Sequence, residues 1–210
     1  MKIGIIAVQG DFEAHAAMLD RLGAAHVFVR TPRDLHGLDG VILPGGESTT
    51  QWKFLTEEGL DAGLREHAAR GGALFGTCAG AILLAREVTN PAQPSLGLAD
   101  ITVVRNAYGR QLASEVRREV TALSPHAMEM VFIRAPIIAR VAPDAEILAS
   151  SGGNPVLLRQ GRVLIATFHP ELTGDTAIHE YFLRMVRAHG AEINPAGIAA
   201  APPSVSVEHR

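Results

Sequence analysis

The sequence predicts an α/β fold, a three-layer α/β/α sandwich around a mostly parallel central sheet with an antiparallel section. Three observations carry this. In the first half, short β-branched runs alternate with segments of helical spacing, the pattern of a sheet covered on both faces. The strands there are near-continuous apolar runs, as expected of strands buried on both sides. In the second half, strand-like runs follow one another with little helix between them, which favours hairpins and antiparallel pairing.

The elements follow in order. IGIIAV (residues 3–8) is the first strand, and Phe12, Ala16, Leu19 and Gly23 then keep helical spacing. HVFVR (26–30) and GVILP (40–44) are the next strands. A helix is expected over 49–70, interrupted near Gly59. ALFG (73–76) is a fourth strand, with a helix from Ala79 to Glu87 directly after it. Residues 88–100 contain Pro91, Pro94 and Gly97 and read as a loop. ITVVRNAYG, MVFIRAP, EILAS, PVLLR and RVLIATF then supply closely spaced strands. Ile178, Tyr181, Phe182, Met185, Val186 and His189 mark a last amphipathic helix. One domain is expected over 1–190, followed by a disordered tail over 191–210 that is rich in Ala and Pro.

Composition narrows the function. A chain of 210 residues that is 47% hydrophobic has the material for one substantial core. Its formal net charge of -3 gives no basic footprint for a nucleic acid. The apolar stretch at the N-terminus ends at Gln9, short of a secretory segment, and the uncharged run between Arg70 and Arg86 falls below the ~20 residues of a membrane helix. A soluble, cytoplasmic protein is expected, which suits the single cysteine, Cys78.

That cysteine lies in FGTCAGA, between a predicted strand and a predicted helix. A sharp strand-to-helix turn presents its side chain above the sheet, and Gly76 and Gly80 leave room for the bend. The helix N-terminus places backbone N–H groups and a partial positive charge beside the sulfur, a setting that favours thiolate. The plainer alternative is a small buried hydrophobe. A nucleophile needs a base, and the base needs an orienting group. Among nine histidines, His67 and His179 are expected on exposed helix faces, and His36 and His209 in loop or tail. His169 differs: it closes a strand, precedes Pro170, and stands two residues before Glu171. In extended backbone, residues i and i+2 point the same way, so the carboxylate can reach the imidazole and fix its tautomer. LPGGESTT (43–50) adds two glycines between a strand and a helix, either a tight turn with a cap or a loop whose N–H groups face an anion.

GGESTT, GTCAGAILLA, RNAYGRQ, VFIRAP and FHPEL, in this order, resemble the class I (triad-type) glutamine amidotransferases, and within them the glutaminase subunits of pyridoxal 5′-phosphate synthase. The resemblance covers roughly residues 1–188 and implies a flavodoxin-like amidotransferase fold. It implies that Cys78 is the nucleophile, with His169 and Glu171 completing the triad. Gly46, Glu47, Ser48, Arg105, Ile133 and Arg134 would bind L-glutamine, with backbone N–H groups of Gly46 and Ala79 as the oxyanion site. Either arginine could meet the α-carboxylate. His15 matches the family's N-terminal motif, a region that looks like part of the partner contact. The implied activity is that of a glutaminase, classed as hydrolase and as lyase, needing no metal or cofactor, that passes ammonia to a (β/α)8-barrel synthase subunit. Rival readings are an amidotransferase of another pathway, a cysteine peptidase and an inactive regulatory subunit.

Overall fold

The computed structural model describes residues 1–106 and 114–193. β1 (Ile3–Ile6), β2 (His26–Val29), β3 (Gly40–Leu43), β4 (Ala73–Thr77) and β12 (Val163–Ala166) form the parallel half of a large sheet. Antiparallel pairing then adds β11 (Asn154–Gln160), β10 (Glu146–Ser151), β7 (Ser114–Thr121) and β8 (Ser124–Ile133). The order β2-β1-β3-β4-β12-β11-β10-β7-β8 places β4 and β12 at the junction of the two halves. Five strands thus belong to the parallel part, and four more are added beyond β12 by antiparallel pairing.

Side-chain alternation divides the core. Ile3, Ile5, Ile42, Phe75 and Leu164 face α1 (Phe12–Arg21) and α5 (Ala177–Ile193). Ile6, Val41, Leu43, Leu74 and Ile165 face α2 (Ser48–Glu57), α3 (Leu60–Ala69) and α4 (Ala79–Leu84). A strand with apolar residues at every position thus serves both layers, which is why these runs do not alternate with polar residues. Gly59, at φ 72, separates α2 from α3 where the sequence places a break.

Four expectations change. The helix after Cys78 stops at Leu84 rather than Glu87, because Ala85 turns extended and Ala85–Thr89 forms β5. β5 pairs with β6 (Ala99–Val104), and β6 with β9 (Ile137–Val141), in a second three-stranded sheet. The expected loop over 88–100 is therefore shortened at both ends. α5 runs past residue 190 to Ile193, and residues 194–210, most of the expected tail, lie outside those described. His67 and His179 are buried rather than exposed, at 2% and 0%. Polar residues on a helix turn inward when they find partners, and His67 Nε2 meets the Ala73 carbonyl oxygen at 3.3 Å.

Burial lowers the pKa of His67 beneath its ordinary 6.5, only partly offset by the Ala73 contact. The folded state thus keeps His67 neutral while the unfolded chain takes up a proton below pH ~6.5, so stability is full above that pH and falls below it, by up to ~1.4 kcal/mol per pH unit. Urea unfolding at pH 7.5 and 5.5 should show the lower midpoint at pH 5.5. Part of that pH dependence should disappear in His67→Gln.

Candidate active site

β4 ends at Thr77 and α4 begins at Ala79, so Cys78 alone makes the turn. Its backbone sits at φ 48 and ψ -101, outside the basins open to an L-residue. Such a conformation costs on the order of 1–3 kcal/mol and persists only where the surroundings enforce it. The surroundings are visible. A Cβ on Gly80 would lie 2.0 Å from the Leu43 carbonyl oxygen, and one on Gly76 would lie 2.6 Å from the Gly80 backbone. α4 is thereby pressed against the ends of β3 and β4. The Cys78 N–H donates to the Ala166 carbonyl at 2.9 Å, which ties the turn to β12.

His169 follows β12 and precedes a 3-10 turn over Pro170–Leu172. Its N–H donates to the Val131 carbonyl of β8 at 2.8 Å, so both halves of the large sheet set its position. Its Nδ1 lies 2.8 Å from Glu171 Oε1, and both side chains are buried. Burial alone would lower the His169 pKa. Hydrogen bonds and charge from the Cys78 sulfur and the Glu171 carboxylate outweigh it and push the value up to about 10. Burial raises the proton affinity of Glu171, with the His169 contact opposing it. The imidazole ring leaves no room for a side chain on Gly45, where a Cβ would fall 2.2 Å from His169 Cε1. Gly45 of LPGGESTT is thus a steric requirement of the histidine, whereas a side chain on Gly46 would meet Gln9 and Gln51.

Beside this group lies a pocket lined by Cys78 and Ile82 from the elbow, and by Gly46, Glu47 and Ser48 from the start of α2. Arg105 and Asn106 enter from the end of β6, and Ile133, Arg134 and Pro136 from the segment joining β8 to β9. Every expected glutamine-site residue is on this wall. Glu47 caps α2: its Oε2 accepts the Thr50 N–H at 2.7 Å and the Thr49 hydroxyl. Partial burial would raise its pKa, but these donors hold it at about 2. Its Oε1 lies 3.5 Å from Arg105, which is 12% exposed. Arg134 is exposed and stands at φ 45. Ala79 opens α4, so its N–H belongs to the first-turn donors without a helical acceptor. Gly46 stands at φ 151, and the following Glu47 N–H donates to Gln9 Oε1 at 2.9 Å. Residues 107–111 of RNAYGRQ lie outside those described.

Strain marks the same place. Among the described residues, the non-glycine positions with positive φ are Cys78, Asn90, Asn106 and Arg134, and three of these line the pocket. Asn106, Ile82 and Pro136 join the expected set, and Asn106 was within reach of sequence reasoning because it follows Arg105 in RNAYGRQ. Asp11 Oδ2 approaches His169 Nδ1 at 3.5 Å. Among the described residues, Asp11, His169 and Glu171 offer donor atoms within 4.8 Å of one another, but His169 Nδ1 is already engaged by Glu171. His15 is fully buried, so it is not itself a surface contact for a partner.

Residues 5–188 match the SNO glutamine amidotransferase family. A pyridoxal 5'-phosphate synthase subunit PdxT of Koribacter versatilis is 54% identical over 187 residues, spanning 89% of this chain and 96% of the relative. A protein of the same name from Deinococcus radiodurans is 53% identical over 188 residues, spanning 87% and 96%. A solved structure described as a glutamine amidotransferase superposes with a TM-score of 0.83 at 46% identity, covering 88% of this chain and 98% of that one. A putative GMP synthase subunit of Thermoplasma acidophilum, 17% identical, superposes at 0.67 over 93% and 98% and shares the fold alone.

The elbow makes a stability prediction that needs no substrate. Glycine accepts φ 48 without steric strain. Cys78→Gly should therefore be more stable than Cys78→Ala by about 1 kcal/mol, despite glycine's larger unfolded-state entropy. Denaturant unfolding of the two variants checks this, and the reverse order would show an unstrained turn.

Proposed function

Because the chain belongs to the SNO glutamine amidotransferase family, we propose that it hydrolyses L-glutamine to L-glutamate and ammonia and passes the ammonia to a pyridoxal 5′-phosphate synthase subunit. The observation that carries the reading is a strained cysteine that lines a pocket with Arg105 and Glu47 and also interacts with the buried His169–Glu171 pair. Glutamine carries an α-carboxylate, an α-ammonium and a carboxamide. Arg105, largely buried and held by Glu47, is a preorganised cation for the carboxylate. Glu47 and nearby backbone carbonyls offer acceptors to the ammonium.

In this reading the Cys78 sulfur attacks the carboxamide carbon, and the C=O pair moves onto oxygen. N–H groups of Gly46 and Ala79 hold that oxyanion. His169 gives its proton to the departing nitrogen, releasing ammonia and a glutamyl thioester. It then takes a proton from water, whose oxygen attacks the thioester and frees glutamate and the thiolate. Glu171 keeps the imidazole oriented throughout. This chemistry makes the chain a hydrolase, and the expected lyase class does not describe it. The acceptor is read as a (β/α)8-barrel subunit, and the setting as cytoplasmic, which the one free thiol supports. No helix among the described residues is long and apolar enough to cross a membrane.

Loss of the nucleophile should abolish glutamine hydrolysis in Cys78→Ala, and His169→Asn should lose nearly as much, with Glu171→Gln less affected. Ammonia release by folded variants measures this, and near-normal turnover in Cys78→Ala would remove the reading. A second expectation concerns the partner. The Glu47 N–H is held by Gln9, and Gly46 has a backbone freedom other residues lack, so the oxyanion loop can rest in an unproductive state. A misplaced oxyanion donor costs about 10²–10³ in kcat. Hydrolysis should therefore be slow in the isolated chain and rise as the synthase is titrated in. An unchanged kcat/KM, with binding shown independently, would exclude such a switch.

A further inference from the structure

The triad does not end at Glu171. Its carboxylate is fully buried, and one oxygen, Oε1, receives His169. The other, Oε2, is buried without a hydrogen bond of ordinary length. A buried carboxylate oxygen without a donor is costly, so what faces it matters. His15 Nε2 stands 3.5 Å from it. That nitrogen also lies 3.1 Å from Thr77 Oγ1, on the residue preceding Cys78. The opposite nitrogen, His15 Nδ1, lies 2.9 Å from Nε2 of His179 on α5. Both rings are wholly buried, and Phe75 packs edge-on against each, with centroids at 6.0 and 5.6 Å.

Counting protons decides the arrangement. Burial, followed by the neighbouring His179 and His169, lowers the His15 pKa well below 6.5, and burial lowers that of His179 to about 4. Each ring therefore carries one proton, and a 2.9 Å contact between them holds one proton between the two nitrogens. Suppose His15 Nδ1 carried it. His179 would then bear its proton on Nδ1, a buried atom with no partner, and His15 would turn a lone pair toward the Glu171 carboxylate. Both consequences are unfavourable. With the proton on His179 Nε2, only an unprotonated His179 Nδ1 is left unpartnered. The His15 proton then sits on Nε2, shared between Thr77 Oγ1 and Glu171 Oε2.

We propose that His15, oriented by His179, is a positioning residue that donates its Nε2–H to Glu171 Oε2 and holds the carboxylate in the orientation that receives His169. The chain of contacts runs from α5 through α1 to the triad, so two helices on one face of the sheet fix a group that works at the ends of its central strands. Without the donor, Glu171 can rotate or take up a proton, and either change releases His169.

The inference rests on the glutaminase reading, and its test separates the two. Histidine-selective ¹⁵N NMR on the unsubstituted full-length chain needs no substrate: His15 should carry hydrogen on Nε2 with Nδ1 as acceptor. A His15 Nδ1–H would overturn the proposal, whatever the activity. In kinetics with the synthase present, His15→Leu should lower kcat about tenfold with KM little changed. His15→Gln, which keeps an N–H near the same place, should recover most of that loss. In a Glu171→Gln background, His15→Leu should add little. Equal losses in the two backgrounds, or no recovery with Gln, would make His15 a packing residue and overturn the proposal.

Discussion

The close approach of Gly80 to the Leu43 carbonyl is the contact on which the site depends. It presses the first turn of α4 against the ends of β3 and β4, leaving Cys78 no relaxed backbone conformation. The sheet can enforce this because β4 lies between β3 and β12, and their ladders absorb the cost at the turn. β12 in turn delivers His169, so the nucleophile and its base are set by neighbouring parallel strands. Their relative position is a consequence of strand register rather than of flexible loops.

The polar groups of the site are arranged against the same rigid background. Glu47 closes the first turn of α2 with one oxygen and meets Arg105 with the other, so a helix cap and a pocket wall share one carboxylate. His169 is charged through neighbours that outweigh its burial, whereas His15 and His179 are neutral because burial prevails. Of the three histidines in this network, two are therefore neutral and one is charged: the Cys78 sulfur and a 2.8 Å contact with Glu171 outweigh burial at His169, whereas burial prevails at His15 and His179.

Much of this was legible in the chain. The near-continuous runs at 3–8, 40–44 and 73–76 declared strands covered on both faces, realised as Ile3–Ile6, Gly40–Leu43 and Ala73–Thr77, and the break at Gly59 was visible. The G-x-C-x-G spacing and the H-P-E step pointed to a turn and an i, i+2 pair, because those signals are local. β5 was not legible: AREVT continues an apolar helix, and only pairing with β6 makes the extended state favourable. His179 was read as exposed because no local rule distinguishes an inward polar residue whose partners lie on another helix.

The sequence by itself determined the backbone chemistry: which runs are strands, where glycine must stand, and which side chains carry a nucleophile, a base and an orienting acid. Those properties depend on neighbours a few residues away. Only the tertiary structure decided what surrounds each of them. It brought Arg105 and Arg134 to the pocket that Cys78 also lines, and placed His15 beside Glu171 with His179 as its partner. The spacing of 164 residues between those two histidines has no meaning along the chain. It acquires one when α1 and α5 pack on the same face of the sheet and burial leaves each ring the other as its partner.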